Sequence, residues 1–163
     1  MKALAILPLL AMAGCRGNVP VTGLPFDPVQ FFSGHTQGNA RLHTIFGASH
    51  AILVDSRGVP DGRGGLVLDQ RVAEQGSAPR SRQWRIHPAG RGRWAGTLSD
   101  ARGPVTIFRT NSDVVIRYRM TNGAAVEQHL QEPPSGAVEN HMTVSHFGIR
   151  LATLDEQIKK LPR

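Results

Sequence analysis

The 163-residue sequence predicts a mainly β protein: an antiparallel up-and-down barrel of eight or nine strands, with a short N-terminal helix and a C-terminal helix. Three observations predict it. Apolar and polar residues alternate at period two from about residue 36 to about 147. Clusters of Gly, Pro, Asn and Asp break that alternation at short intervals. The gaps are too short for crossover helices, so consecutive strands run antiparallel. A closed barrel leaves such strands no free edge; a β-sandwich is the alternative.

The chain opens with Met1-Lys2 and an uncharged, mostly aliphatic stretch from Ala3 to Ala13. This is the build of a secretory signal peptide, too short to span a bilayer. Ala13-Gly14-Cys15 then resembles the lipobox of bacterial lipoproteins, with Met12 where Leu is usual. That resemblance implies cleavage after residue 14 and acylation of Cys15, the only cysteine. Acyl chains contribute about 0.8 kcal/mol per buried methylene, so two or three of them make a durable membrane anchor. Arg16 in place of Asp implies, by the sorting rule of Gram-negative lipoproteins, the outer membrane facing the periplasm. Residues 15–25 carry Gly, Pro and polar residues without periodicity and read as a tether. Residues 26–163 remain as one domain, long enough for a real core.

Asp27-Pro28-Val29-Gln30 has the composition of a helix start, with Asp as N-cap and Pro in the first turn. Phe31 and Phe32 follow, and Gly34 can end the helix. Two rings on so short an element suit a plug for one end of a larger core. Strands are expected near 36–46, 49–57, 65–73, 81–88, 92–98, 104–110, 113–121, 124–131 and 138–147. Asn122-Gly123 is the strongest hairpin signal, because both residues tolerate positive φ in a two-residue loop. Thr153-Leu154-Asp155-Glu156 has the form of a capping box. Leu154, Ile158 and Leu161 then form an apolar stripe, and Pro162 bars extension. A helix here is expected to pack on the outside of the barrel. A short helix, an antiparallel meander and a C-terminal helix together resemble the lipocalin-like architecture, although the Gly-x-Trp of lipocalins is absent after Gly34.

Alternation also sorts the faces. Arg82, Trp84 and Ile86 share one side of their strand, and Trp94, Gly96 and Leu98 one side of the next. Val114, Ile116, Tyr118 and Met120 face inward, as do Val126, Gln128 and Leu130, while Arg85, Arg117 and Arg119 face out. Asn140 shares its face with Met142 and Val144. The interior set is apolar with a few polar insertions, which suits a ligand cavity whose polar groups orient a head group. The candidate ligand-binding residues are therefore Arg82, Trp84, Trp94, Tyr118, Met120, Gln128, Asn140 and Met142. Arg82 is the candidate partner of a carboxylate or phosphate, since its fork matches both. The competing reading is an interior filled by its own side chains, with Arg82 satisfied by Asp100 or by carbonyls and stacked on Trp84.

Other chemistries lack a signature. The seven histidines show no zinc spacing, and no second cysteine accompanies Cys15. No G-x-S-x-G elbow is present, and the glycines at 62–65 lead to a strand with no helix to hold a phosphate. Neither a catalytic residue nor a metal ligand nor a cofactor is therefore expected. The net charge of +7 comes mostly from dispersed arginines. In a secreted chain an anionic lipid surface is a better partner for it than nucleic acid.

Several segments together resemble the bacterial lipoprotein family catalogued as domain of unknown function 3833. They are Phe31-Phe32-Ser33-Gly34, Leu66-Val67-Leu68-Asp69-Gln70 and Arg82-Gln83-Trp84-Arg85-Ile86. Gly96-Thr97-Leu98-Ser99-Asp100, Asn140-His141-Met142-Thr143-Val144 and Phe147-Gly148-Ile149-Arg150 follow in order. The resemblance implies a lipocalin-like fold and an envelope location, and no reaction. The expected role is to bind or carry a fatty acid or another lipid, such as a phospholipid. An envelope-assembly protein with a packed barrel, or an enzyme acting on a lipid in the barrel, are the other readings.

Overall fold

The computed structural model describes residues 26–162 except Ala48 and Pro134. The expected leader, Cys15 and the expected tether lie outside the described residues. One short helix, α1 (Pro28–Phe32), precedes ten strands. These are β1 (Gly34–Thr44), β2 (His50–Pro60), β3 (Leu66–Glu74), β4 (Arg80–Pro88) and β5 (Arg93–Leu98). They continue as β6 (Val105–Arg109), β7 (Val114–Arg119), β8 (Ala125–Gln131), β9 (Val138–His146) and β10 (Ile149–Lys160). Each strand pairs antiparallel with its neighbours in sequence, and β10 pairs with β1 to close the barrel.

Two expectations need correction here. The barrel has ten strands rather than eight or nine, and the extra one is the expected C-terminal helix. Residues 149–160 lie in the wall, paired with β1 on one side and β9 on the other. The physical reason is twofold. Leu154 and Ile158, four apart, lie on one face of a helix and also on one face of a strand. Only a strand satisfies the backbone edges of both β1 and β9, and that requirement outweighs a capping box. In the strand, Asp155 points outward to His141 Nδ1 at 2.6 Å, and Glu156 points inward.

The Asn122-Gly123 hairpin forms between β7 and β8, with a different turn from the one expected. Gly123 alone adopts positive φ. Asn122 instead accepts a hydrogen bond from the Ala124 N–H through its side-chain oxygen. The loop is thus three residues long with glycine at the left-handed position. The two-residue turn with positive φ at both positions is Phe147-Gly148, between β9 and β10.

α1 covers the end of the barrel where β2 ends and β3 begins. Asp27 Oδ1 caps it by accepting from the Val29 and Gln30 N–H groups. Phe31 and Phe32 are buried, as the plug reading expects, and their rings meet edge to face. Gly58 lets the helix approach: a Cβ there would overlap the Phe32 carbonyl. Arg109 donates to the Phe26 carbonyl and Lys160 to the Gln30 carbonyl, which ties the helix to β6 and β10.

Two apolar clusters fill the interior. The larger joins α1 to β3–β8 through fully buried Leu66, Val105, Ile107, Val114 and Leu130, and reaches Val138 and Ile158. Burial of each such side chain stabilises by about 1.5–3 kcal/mol. The smaller, Ile52, Val54, Val72 and Leu154, lies towards the opposite end on β2, β3 and β10.

Candidate functional site

A polar belt runs across the interior, and strand register explains it. Thr36 stands opposite Ser56, Ser56 opposite Gln70, and Gln70 opposite Arg82, so one row crosses β1 to β4. All four share the inward parity of their strands. On the other side of the barrel Glu156 of β10 stands opposite Asn140 of β9. Gln128 of β8 and Tyr118 of β7 continue that group by side-chain bonds.

The first row holds Arg82 through one residue. Gln70 Nε2 donates to Ser56 Oγ at 3.0 Å. Gln70 Oε1 accepts from Arg82 Nε at 2.8 Å and from Trp84 Nε1 at 2.7 Å, using both lone pairs. The guanidinium lies over the Trp84 ring at 5.6 Å. Among the described residues no carboxylate comes within ion-pair distance of Arg82. Asp100, one of the partners considered for it, binds Arg80 instead, at 3.0 Å on the outer rim.

In the second group Asn140 Nδ2 donates to Gln128 Oε1 at 3.1 Å and to Glu156 Oε2 at 2.9 Å. Gln128 Nε2 donates to the Tyr118 hydroxyl at 3.4 Å. Burial holds the Glu156 carboxyl above the usual carboxylate range, opposed by the Asn140 hydrogen bond and the positive charge of Arg82. Burial likewise raises the Tyr118 phenol. Gly38 makes room for Glu156, since a Cβ there would overlap its carboxylate. The buried Asn140 Oδ1 and Thr36 Oγ1 have no hydrogen-bond partner.

Between the two groups lies a cavity of about 40 Å³, lined on its polar side by Ser56, Gln70, Arg82, Gln128, Asn140 and Glu156. That is room enough for ordered water among polar partners. Chemically the cavity offers a cation already oriented by Gln70, a carboxyl whose burial favours its protonated form, and amide groups able to donate and accept. It suits the recognition of a small acidic or hydrogen-bonding head group.

Of the residues singled out from sequence, Arg82, Trp84, Gln128 and Asn140 line this cavity. Tyr118 joins them through Gln128 and stacks edge to face on Trp84 at 5.6 Å. Met142 packs between the two apolar clusters. Trp94 lies apart, under Arg109 near α1, and Met120 sits at the far rim, where it bridges to Ala101. Sequence reasoning missed Ser56, Gln70 and Glu156. Each shares the parity of apolar neighbours: Ile52 and Val54 for Ser56, Leu66 and Leu68 for Gln70, Leu154 and Ile158 for Glu156. The signal was present for the first two, and the helix reading hid the third.

No protein-family model matches the chain, and no curated protein matches it. Solved structures do share the fold. The S-type phycobiliprotein lyase CPES from Guillardia theta superposes with a TM-score of 0.64 at 9% identity, over 83% of this chain and 91% of that one. Rv2717c from M. tuberculosis superposes with a TM-score of 0.59 at 10% identity, over 83% of this chain and 99% of that one. At such identities the likeness is one of architecture, and function has to be argued from the site.

Proposed function

We propose that this protein binds an amphipathic small molecule with an acidic head group, such as a fatty acid, inside its barrel. The observation that carries the reading is Arg82. It is a half-buried cation on the inner face, oriented by Gln70, with no carboxylate within ion-pair distance among the described residues. A cation partly withdrawn from water without an ion pair gives up hydration energy. A carboxylate or phosphate head would offset that cost through a paired, charge-assisted contact. The partnerless Asn140 Oδ1 supports a hydrogen-bonding head at the same place. An acyl tail needs several hundred Å³, far more than the cavity of about 40 Å³. Entry therefore displaces interior side chains, among which the partly buried Met120 and Met142 are the most adaptable. The wider proposal places the barrel as a carrier at the periplasmic face of the outer membrane, held there by acylated Cys15. Its support is the leader sequence. Membership of the family of domain of unknown function 3833 belongs to the same proposal and rests on the segments quoted above.

A second reading follows from the small cavity itself: a packed barrel that works through its outer surface in envelope assembly. Native mass spectrometry of the protein secreted into a bacterial periplasm separates the two. The carrier reading expects an adduct of lipid mass that is lost on denaturation. A clean apo mass, unchanged after incubation with fatty acids and phospholipids, sinks the carrier and favours the packed barrel.

A further inference from the structure

We infer that the barrel end opposite α1 docks on an anionic lipid bilayer surface through Phe46 and Phe147. Seven large apolar side chains are exposed among the described residues, and five of them gather on this one rim. Phe46 and Phe147 are each 93% exposed, and Ile45, Ile149 and Leu151 lie with them. Topology makes them neighbours. β10 lies between β1 and β9, so the β1–β2 loop meets the β9–β10 turn, and the Ile45 N–H donates to the Leu151 carbonyl at 3.0 Å.

Folding does not explain this patch. Phe147 takes φ +49°, a left-handed conformation costly for a bulky residue and natural for Asn or Gly. Its ring stands edge to face with that of His146 and is otherwise almost wholly exposed. Strain and exposure are both tolerated at a two-residue tip, which suits a side chain used outside the molecule.

The surrounding charge selects the partner. The loops and strand ends at this end carry Arg80, Arg102, Arg119 and Arg150 against Glu74 and Asp100. Arg41 faces outward one layer below, beside Asp155, which is bonded to His141. Aromatic tips ringed by arginine fit a headgroup layer: the rings enter the acyl boundary and the guanidinium groups meet anionic phosphates. This inference is independent of whether the interior holds a ligand.

The test uses the full chain with Phe147→Trp as a reporter and Val59→Trp, exposed at the α1 end, as its control. Trp84 and Trp94 are buried and supply a constant background. Vesicles of phosphatidylcholine and phosphatidylglycerol with brominated chains are added. The expected result is a blue shift and quenching at the first position and neither at the second. Replacing phosphatidylglycerol by phosphatidylcholine, or combining Arg119→Glu with Arg150→Glu, is expected to weaken vesicle affinity at least about tenfold. If Phe147→Trp fails to fold by circular dichroism, Phe46→Trp takes its place. Unchanged emission, or equal quenching at both positions, overturns the inference. So does a blue shift that rises with protein concentration without vesicles, which would make the rim a self-association surface.

Discussion

The α1 end of the barrel and the belt at its middle are built from the same alternating strands, yet they are filled in opposite ways. Near α1, inward positions carry Leu66, Ile107 and Val114, which are fully buried in one apolar cluster. In the belt the same parity brings in Ser56, Gln70, Arg82, Asn140 and Glu156 around a small cavity. The first filling gains stability from apolar burial. The second gives some up, since it holds a half-buried cation and a carboxyl disfavoured in its ionised form. Positions that lower stability inside a well-packed fold are where a binding role is expected.

The comparison breaks most visibly under truncation. Ile107→Ala in the packed half is expected to lower unfolding stability by about 2–5 kcal/mol in denaturant titrations, through lost burial and a residual cavity. Gly58→Ala should cost about 1–3 kcal/mol, because the added methyl meets the Phe32 carbonyl and lifts α1. Arg82→Met in the belt should do the reverse and leave the melting temperature unchanged or raised, since it removes a half-buried charge that forms no ion pair. A large loss there would make Arg82 structural.

Titration sharpens the contrast. The Glu156 pKa is raised on folding, so the folded state holds more protons than the unfolded state between the ordinary glutamate pKa and the raised one. Stability from this group therefore falls as pH rises through that window. Glu156→Gln should remove the fall, and its melting temperature should gain on the parent as pH goes from 4 to 7. The smallest effect is expected on the outer wall. There His129 is held between Glu127 Oε1 at 3.0 Å and Asp113 Oδ2 at 2.7 Å, and those hydrogen bonds raise its pKa. Its contribution is present below the ordinary histidine pKa and lost as pH rises through the raised value. His129→Ala should then cost less than about 1 kcal/mol at pH 5.5, with the difference fading as pH rises through the raised value.

Much of this was legible in the chain. Alternation placed Arg82 with Trp84 and Ile86, and the structure keeps that face inward. The Asp27 cap and the paired phenylalanines announced α1 as a plug. β10 was not legible because four-residue spacing does not separate helix from strand, and barrel closure is a property of β1 and β9 together. With β10 went Glu156, whose inward position depends on the strand. The partnering of Gln70 with Arg82 was also out of reach, because it depends on the register between β3 and β4 rather than on either strand alone.

Whether Arg82 receives an acidic head group is decided by a calorimetric titration of the protein and of Arg82→Met with a long-chain fatty acid and with the alcohol of the same length. The parent is expected to bind the acid about tenfold or more tighter than the alcohol, and Arg82→Met to erase the difference while keeping its fold. Equal binding of acid and alcohol by the parent, or a preference for the acid that survives Arg82→Met, would contradict that role for Arg82.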